Sequence, residues 1–326
     1  MSAASNKPGP TSYAFTFVCQ KGELEGLALI LAASLKRSLK CKYELIAAVP
    51  SPTDKWGELS KETYHLLAQM SVRIEYITNP ISGEKQGDFL TNKIYCFKIP
   101  TTMDKLVFVD SDILCLREFR GDVLLDAPFS AAPTFLATGQ NWDKVYETMG
   151  LPFPKTTMKA LFSEDLQPPY FNSGFVAVDA QLAEELAGTW LDCFHHLDES
   201  GILTNNLYFR EQMSLAVAVI KMGLQYNVLD ENYNFWVRAR PLDVKALPYF
   251  LHYTWPNPPI YNQPVLKSLV RSLIAEYPSM KQFLVQSRWK YYLRPDFIVS
   301  LNRTMFYANK QFKQLIANLT KYTLHG

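Results

Sequence analysis

Two carboxylates one residue apart close an apolar run, Lys105-Leu106-Val107-Phe108-Val109-Asp110-Ser111-Asp112. Paired hard oxygen donors suit Mg2+ or Mn2+, which commonly use one or two carboxylates and let substrate phosphates complete the coordination shell. The aliphatic and aromatic residues from Leu106 to Val109 are those of a strand buried on both faces. In open α/β sheets, ligands bind outside the carboxyl ends of the strands, where Asp110 and Asp112 would emerge. The alternative from these residues alone is a strand-ending turn, with Asx hydrogen bonds replacing the ladder.

The elements that must position this pair alternate along the first third of the chain. Tyr13–Cys19 reads as a buried strand, and Gly22 marks the turn after it. From Glu23 to Leu39 the residues Leu24, Leu27, Ala28, Leu31, Leu35 and Leu39 share a helical face. A second strand is expected over Tyr43–Val49, a helix over Glu58–Met70, a third strand over Val72–Ile77, a helix over Phe89–Ile99, and the Leu106–Val109 strand after it. Such alternation predicts an α/β half on a parallel sheet. There is no G-x-G-x-x-G after the first strand and no P-loop.

Composition sets the bounds. With 326 residues, 48% of them hydrophobic, the chain can bury a large core. The five cysteines, Cys19, Cys41, Cys96, Cys115 and Cys193, are scattered through mostly apolar segments and read as reduced core residues. Residues 1–12 lack the apolar core of a signal peptide, and no segment approaches the ~20 apolar residues of a membrane span. The expectation is a cytoplasmic, membrane-peripheral at most, protein. Net charge is only +2, and no nucleic-acid-binding module is apparent, so nucleic acid is not an expected partner. The charge is uneven: residues 260–326 hold ten Lys and Arg against Glu276 and Asp296, a surplus of +8, and the rest of the chain is −6. Aromatic residues lie among those cations. Two readings follow for this tail, a helical cap packed on the body and a peripheral contact with a membrane or anionic glycolipid.

Several motifs occur in a recognisable order. Ala14-Phe15, Gly26–Leu35, Asn92-Lys93-Ile94, Leu106–Asp112, Phe129–Pro133, Tyr170-Phe171-Asn172-Ser173-Gly174, Arg210-Glu211-Gln212 and Phe250-Leu251-His252-Tyr253-Thr254-Trp255-Pro256 together resemble the family 8 glycosyltransferases, the group of glycogenin and the bacterial lipopolysaccharide galactosyltransferases. The resemblance spans about residues 13–256. It implies a GT-A fold, a Rossmann-like mixed sheet flanked by helices, followed by a helical extension from 257 to 326 and preceded by a flexible segment, 1–12. It also implies a retaining transferase that moves a hexose or related sugar from a UDP-sugar to an acceptor hydroxyl on a glycan, glycolipid or protein.

The resemblance assigns residues by position. Asp110, Asp112 and His252 would hold Mn2+ (or Mg2+), with the imidazole favouring Mn2+. Lys93, Ser111, Asn172, Ser173 and Gly174 would contact the donor, Gly174 by letting the backbone approach closely. Glu211, where the family usually has aspartate, and Gln212 would stabilise the oxocarbenium-like state or position the acceptor. Two departures stand out. Thr134 occupies the place of a sugar-contacting aspartate, and Trp255-Pro256-Asn257-Pro258-Pro259 replaces a turn whose lysine binds pyrophosphate, with Lys267 or Arg271 as substitutes. The competing readings are a sugar nucleotidyltransferase, for which Gln20-Lys21-Gly22-Glu23 is a poor phosphate loop, and a catalytically silent nucleotide-sugar-binding module.

Overall fold

The computed structural model describes residues 11–81, 85, 87–135, 141–163, 166–203, 209–238, 240–253, 263–286, 293 and 295–323. Strands β1 (Ser12–Val18), β2 (Lys42–Ser51), β3 (Val72–Thr78) and β4 (Lys105–Val109) are followed by β5 (Ile113–Cys115) and β6 (Phe129–Pro133). A short ribbon, β7 (Met158–Lys159) and β8 (Leu166–Gln167), precedes β9 (Phe171–Asp179), and β10 (Tyr226–Val228), β11 (Phe235–Trp236) and β12 (Phe250–His252) complete the set. The helices are α1 (Glu23–Ser38), α2 (Thr53–Trp56), α3 (Lys61–Gln69), α4 (Asn92–Cys96), α5 (Trp142–Thr148), α6 (Ala180–Glu199), α7 (Arg210–Lys221), α8 (Gln263–Glu276), α9 (Lys281–Gln286) and α10 (Asp296–Thr323).

A seven-stranded sheet in the order β10-β6-β9-β4-β1-β2-β3 forms the centre, flanked by helices. The first four strands run parallel, as the alternation of strands and helices requires, and β9 pairs antiparallel with both β4 and β6. The sheet is therefore mixed, the arrangement expected of a GT-A-like α/β fold.

Period-two alternation divides the core. Tyr13, Phe15, Phe17, Val107 and Val109 face one side, with α1, α8 and α9, while Ala14, Leu106 and Phe108 face the other, with α4, α6 and α7. Both faces are covered, which is why β1 and β4 read as nearly continuous apolar runs. Glu25 ties α1 to α3: it accepts hydrogen bonds from Gly22 N (3.2 Å), from Ser60 N and Oγ (3.1 and 2.9 Å) and from Thr63 Oγ1. Burial raises the pKa of this carboxyl, but those donors together outweigh burial and hold it below the ordinary carboxylate value.

Two elements differ from expectation. The segment expected to be helical from Phe89 to Ile99 is a 3-10 turn over Asp88–Thr91 and the short α4. Polar side chains that bond locally set this break: Thr91 Oγ1 donates to Asp88 O (2.6 Å), and Asn79 Nδ2 donates to both Thr91 Oγ1 and Asn92 Oδ1 (2.8 Å each). The second strand does not stop at Val49 but continues to Ser51, because its outer neighbour β3 pairs with it through Thr78. The five cysteines are free, four of them buried. No helix among the described residues is long and apolar enough to cross a membrane.

Candidate active site

Asp110 leaves the end of β4, and its N–H donates to Gly174 O of β9 (2.7 Å). The Asp110-Ser111-Asp112 turn is short because β5 starts at once, with Ile113 N donating to Asp110 O (3.0 Å). The turn expected from the residues alone is thus present, and it aims both carboxylates at the same place. Ser111 Oγ donates to Val18 O (2.5 Å), tying the turn to the end of β1, so its hydroxyl is turned to the backbone although the residue lines the cavity.

His252 arrives from the far end of the chain by strand register. The small sheet β11-β12-β5 pairs β12 antiparallel with β5, His252 opposite Ile113, and Tyr253 N donates to Asp112 O (3.1 Å). His252 Nε2 lies 3.2 Å from Asp112 Oδ1. One donor atom from each of Asp110, Asp112 and His252 falls within 4.8 Å of the others.

The tautomer of His252 follows from its neighbours. Gly174 N–H donates to Asn172 Oδ1 (2.9 Å), and Asn234 Nδ2 donates to the same oxygen (2.7 Å). Asn234 Oδ1 must then face His252, which donates its Nδ1–H to it (2.9 Å). This leaves the Nε2 lone pair aimed at a carboxylate, an arrangement that calls for a proton or a cation between them. Burial lowers the pKa of the imidazole, but Asp112 more than offsets it and raises it above the ordinary histidine value. Two carboxylates and an imidazole whose other nitrogen is anchored are a donor set that fits Mn2+.

Lys93 occupies the centre of the charge network. Its Nζ sits 3.0 and 3.2 Å from the two oxygens of Asp110, donates to Ser173 Oγ (3.1 Å), and stands 3.7 Å from Glu211 Oε2. The side chain is buried, so this is an internal counter-ion to two acids rather than a lysine extended on the surface. Burial lowers its pKa, yet Asp110 and Glu211 outweigh burial and hold the ammonium charged. For Asp110 burial is the larger influence and raises its pKa despite Lys93, whereas for Asp112 the adjacent His252 overcomes burial and lowers it.

Glu211 and Gln212 open α7 against this network. Ser173 Oγ donates to Glu211 Oε2 (3.1 Å), but the buried Oε1 makes no hydrogen bond. Burial pushes the Glu211 pKa up to about 7. Gln212 is locked, its Nε2 donating to Thr134 Oγ1 (3.2 Å) and its Oε1 accepting from Ser173 N (3.4 Å). Thr134, where the resemblance leads one to expect an acid, therefore fixes an amide.

Gly174 is required by close approach, though to protein atoms. A Cβ there would lie 2.9 Å from Asn172 Oδ1, 3.0 Å from Asp110 Oδ2 and 3.0 Å from His252 Cε1. Asn172, expected to reach a sugar, lines the cavity, and its Oδ1 accepts from Gly174 N and Asn234 Nδ2.

All ten residues singled out from the sequence are brought together, nine of them lining one cavity of about 510 Å³ and Gly174 packed behind it. Its other walls were not expected: Val18, Gln20, Leu24 and Leu27 on one side, Phe89 and Phe209 at the rim, and Phe135 and Trp236 stacked at 4.9 Å. Asn234, which orients His252, was also missed, and an isolated asparagine before a two-residue strand carries no signal that would have found it. Lys267 and Arg271 of α8 do not line the cavity, and the Trp255–Pro259 stretch lies outside the described residues.

A GT-A-like sheet with acidic and imidazole donors converging at its strand ends is an arrangement that suits glycosyl transfer. Residues 15–223 match the family model of the Rhodobacterales glycosyltransferase domain, and the chain belongs to that family. It is a glycosyltransferase. No curated protein matches the chain. The family match ends before His252, which joins the site through the β5–β12 pairing.

Proposed function

We propose that this glycosyltransferase is metal-dependent and of the family 8 kind, moving a hexose or related sugar from a UDP-sugar to an acceptor hydroxyl on a glycan, glycolipid or protein, with retention of anomeric configuration. The observation that carries the reading is the approach of Asp110, Asp112 and His252 to within 4.8 Å at one end of the cavity, beside the buried pair Lys93 and Glu211. Asp110, Asp112 and His252 would hold Mn2+, which when bound supplies Lewis-acid stabilisation to a departing diphosphate.

The chain's own residues account for the rest. Lys93 orients Asp110 and favours its charged form against burial, and its own charge lies where negative charge gathers as the nucleotide leaves. Glu211 lines the cavity with its Oε1 buried and without a hydrogen bond, and its carboxylate stabilises electrostatically the positive charge that develops on the anomeric carbon and ring oxygen. Gln212, immobilised by Thr134 and Ser173, offers a fixed dipole to the sugar or the acceptor. Phe135, Trp236, Phe89 and Phe209 exclude water from the developing charges. A strong base is not needed, because the departing phosphate oxygen takes the acceptor's proton on the same face.

The decisive test is a thermal-shift and turnover screen of UDP-sugars with and without Mn2+, following UDP release and the anomer formed by NMR. UDP should appear only with the ion, and Asp110→Ala or Asp112→Ala should abolish both Mn2+-dependent UDP binding and transfer while the fold survives. Unchanged turnover in either variant would refute the metal assignment. A nucleotidyltransferase would instead exchange pyrophosphate, and a silent binding module would bind the nucleotide sugar without releasing UDP.

A further inference from the structure

The tail beyond residue 262 divides into two parts that behave differently. Leu266, Val270 and Leu273 of α8, Met280, and Leu284 of α9 are buried in the core beside α1. Those two helices are the packed cap that the sequence allowed. Helix α10 is different. Among its described side chains Tyr307 is 38% exposed, and Phe297, Leu301, Met305, Phe312 and Leu315 are the most exposed large apolar ones, at 71, 57, 55, 61 and 56%.

These exposed residues are not scattered. At 3.6 residues per turn, Phe297, Leu301, Met305, Ala308, Phe312 and Leu315 fall within an arc of about 80° along one side of the helix. Lys310, which is exposed, falls directly opposite the middle of that arc, and Lys313, also exposed, falls outside it. The sequence of α10 holds Arg303, Lys310, Lys313 and Lys321 against Asp296 alone. Its 28 residues extend about 42 Å. The helix is too polar to span a bilayer. An apolar arc backed by cations on a long helix is instead the pattern of a helix lying in the plane of a membrane surface.

We propose that α10 docks this protein on an anionic lipid bilayer, with the Phe297–Leu315 arc sunk to the boundary between headgroups and acyl chains and the lysines facing the phosphates. Charge decides among occupants. A second copy of α10 would bring together two cationic helices, within tails that each carry +8, whereas anionic lipid is attracted by the same charge. Nucleic acid would satisfy the lysines and leave the apolar arc in water. The docking stands whether or not the transferase reading above holds, because none of these residues lines the cavity.

The test is flotation of the full chain with vesicles of pure phosphatidylcholine and of phosphatidylcholine mixed with phosphatidylglycerol. Two variants accompany it, L301S/M305S/F312S and K310E/K313E, with melting temperature as the control for folding. The wild type should float with the anionic vesicles and not the neutral ones, and added salt should weaken binding. Each variant should lower the partition coefficient by more than about tenfold at an unchanged melting temperature. A Phe312→Trp reporter should shift its emission to the blue on adding anionic vesicles. The proposal is overturned if the chain ignores anionic vesicles, binds neutral ones equally, or binds undiminished in both variants. It is likewise overturned if light scattering without lipid finds a dimer that L301S/M305S/F312S abolishes.

Discussion

Two side chains at the site make sense only through the atoms they lack or share. Asn234 does not line the cavity, yet it fixes the His252 tautomer and braces Asn172 behind Gly174. Replacing it by the similarly sized leucine leaves the Nδ1–H and the Asn172 oxygen each without this partner. Asn234→Leu should weaken Mn2+ affinity on the order of 10–100-fold, read by metal titration of the thermal shift. Glu211 poses the opposite case, an acid with one buried oxygen unpaired. Its pKa in the folded chain, about 7, lies above its unfolded value because burial disfavours the charge. The sign follows: its favourable contribution to stability is complete below the unfolded pKa and is lost as pH rises through about 7. Glu211→Gln removes that loss. The variant should melt on the order of 2–4 °C above wild type at pH 8, with no gain at pH 4, while transfer falls sharply. Equal melting shifts at both pH values would mean that the carboxylate is not destabilising the site.

At the scale of elements, one buried arginine holds the two helices that carry Lys93 and Glu211. Arg210, fully buried at the start of α7, bonds Asp88 (2.5 Å) beside α4 and Asp198 at the end of α6, and Lys85 closes on Asp198 from outside (2.6 Å). Trp190 of α6 also donates to Glu211 O (2.8 Å). Arg210→Leu strands a buried Asp88 without its cation and should cost about 3–5 kcal/mol in a denaturant titration. Arg210→Lys should recover part of that stability, though a lysine cannot span both acids as a guanidinium does. This clamp also marks where sequence reading stops. The apolar run ending in Asp110 and Asp112 is visible because a strand buried on both faces needs every residue apolar. The α1 face is visible for the same reason of period. Arg210 in the sequence looks like an ordinary helix-opening cation, since its partners lie 122 and 12 residues away. Lys93 is found only through the family resemblance, and its burial between two acids is invisible in the sequence. His252 could be matched to a motif, but the β5–β12 register that delivers it depends on strands of three residues each, too short to show a period.

For the molecule as a whole, the abrupt change from a −6 body to a +8 tail suggested a separate extension, and the packing puts the functional division later than the charge does. Helices α8 and α9 share the hydrophobic core with β1, β4 and α1, and Arg37 of α1 reaches Glu276 (2.6 Å) and Ser272 (2.8 Å) of α8. Among the described residues, α10 puts no side chain into either core cluster. Two truncations should therefore separate cleanly. Ending the chain at residue 286 removes α10 and, among the described core contacts, only the partly buried Leu293, so melting temperature should stay close to wild type and transfer to a small soluble acceptor should match it. Ending it at residue 262 exposes the α1 face that Leu266, Val270, Leu273, Met280 and Leu284 cover. Each such side chain is worth about 2–5 kcal/mol when truncated in a packed core, and their combined loss exceeds the ~5–15 kcal/mol that keeps a domain folded. The shorter chain should be insoluble or unfolded by circular dichroism. If it instead folds and turns over, the cap is dispensable and the apolar contacts between α1 and α8 contribute little; if the chain ending at 286 loses its fold, α10 has a packing role that its exposed side chains do not reveal.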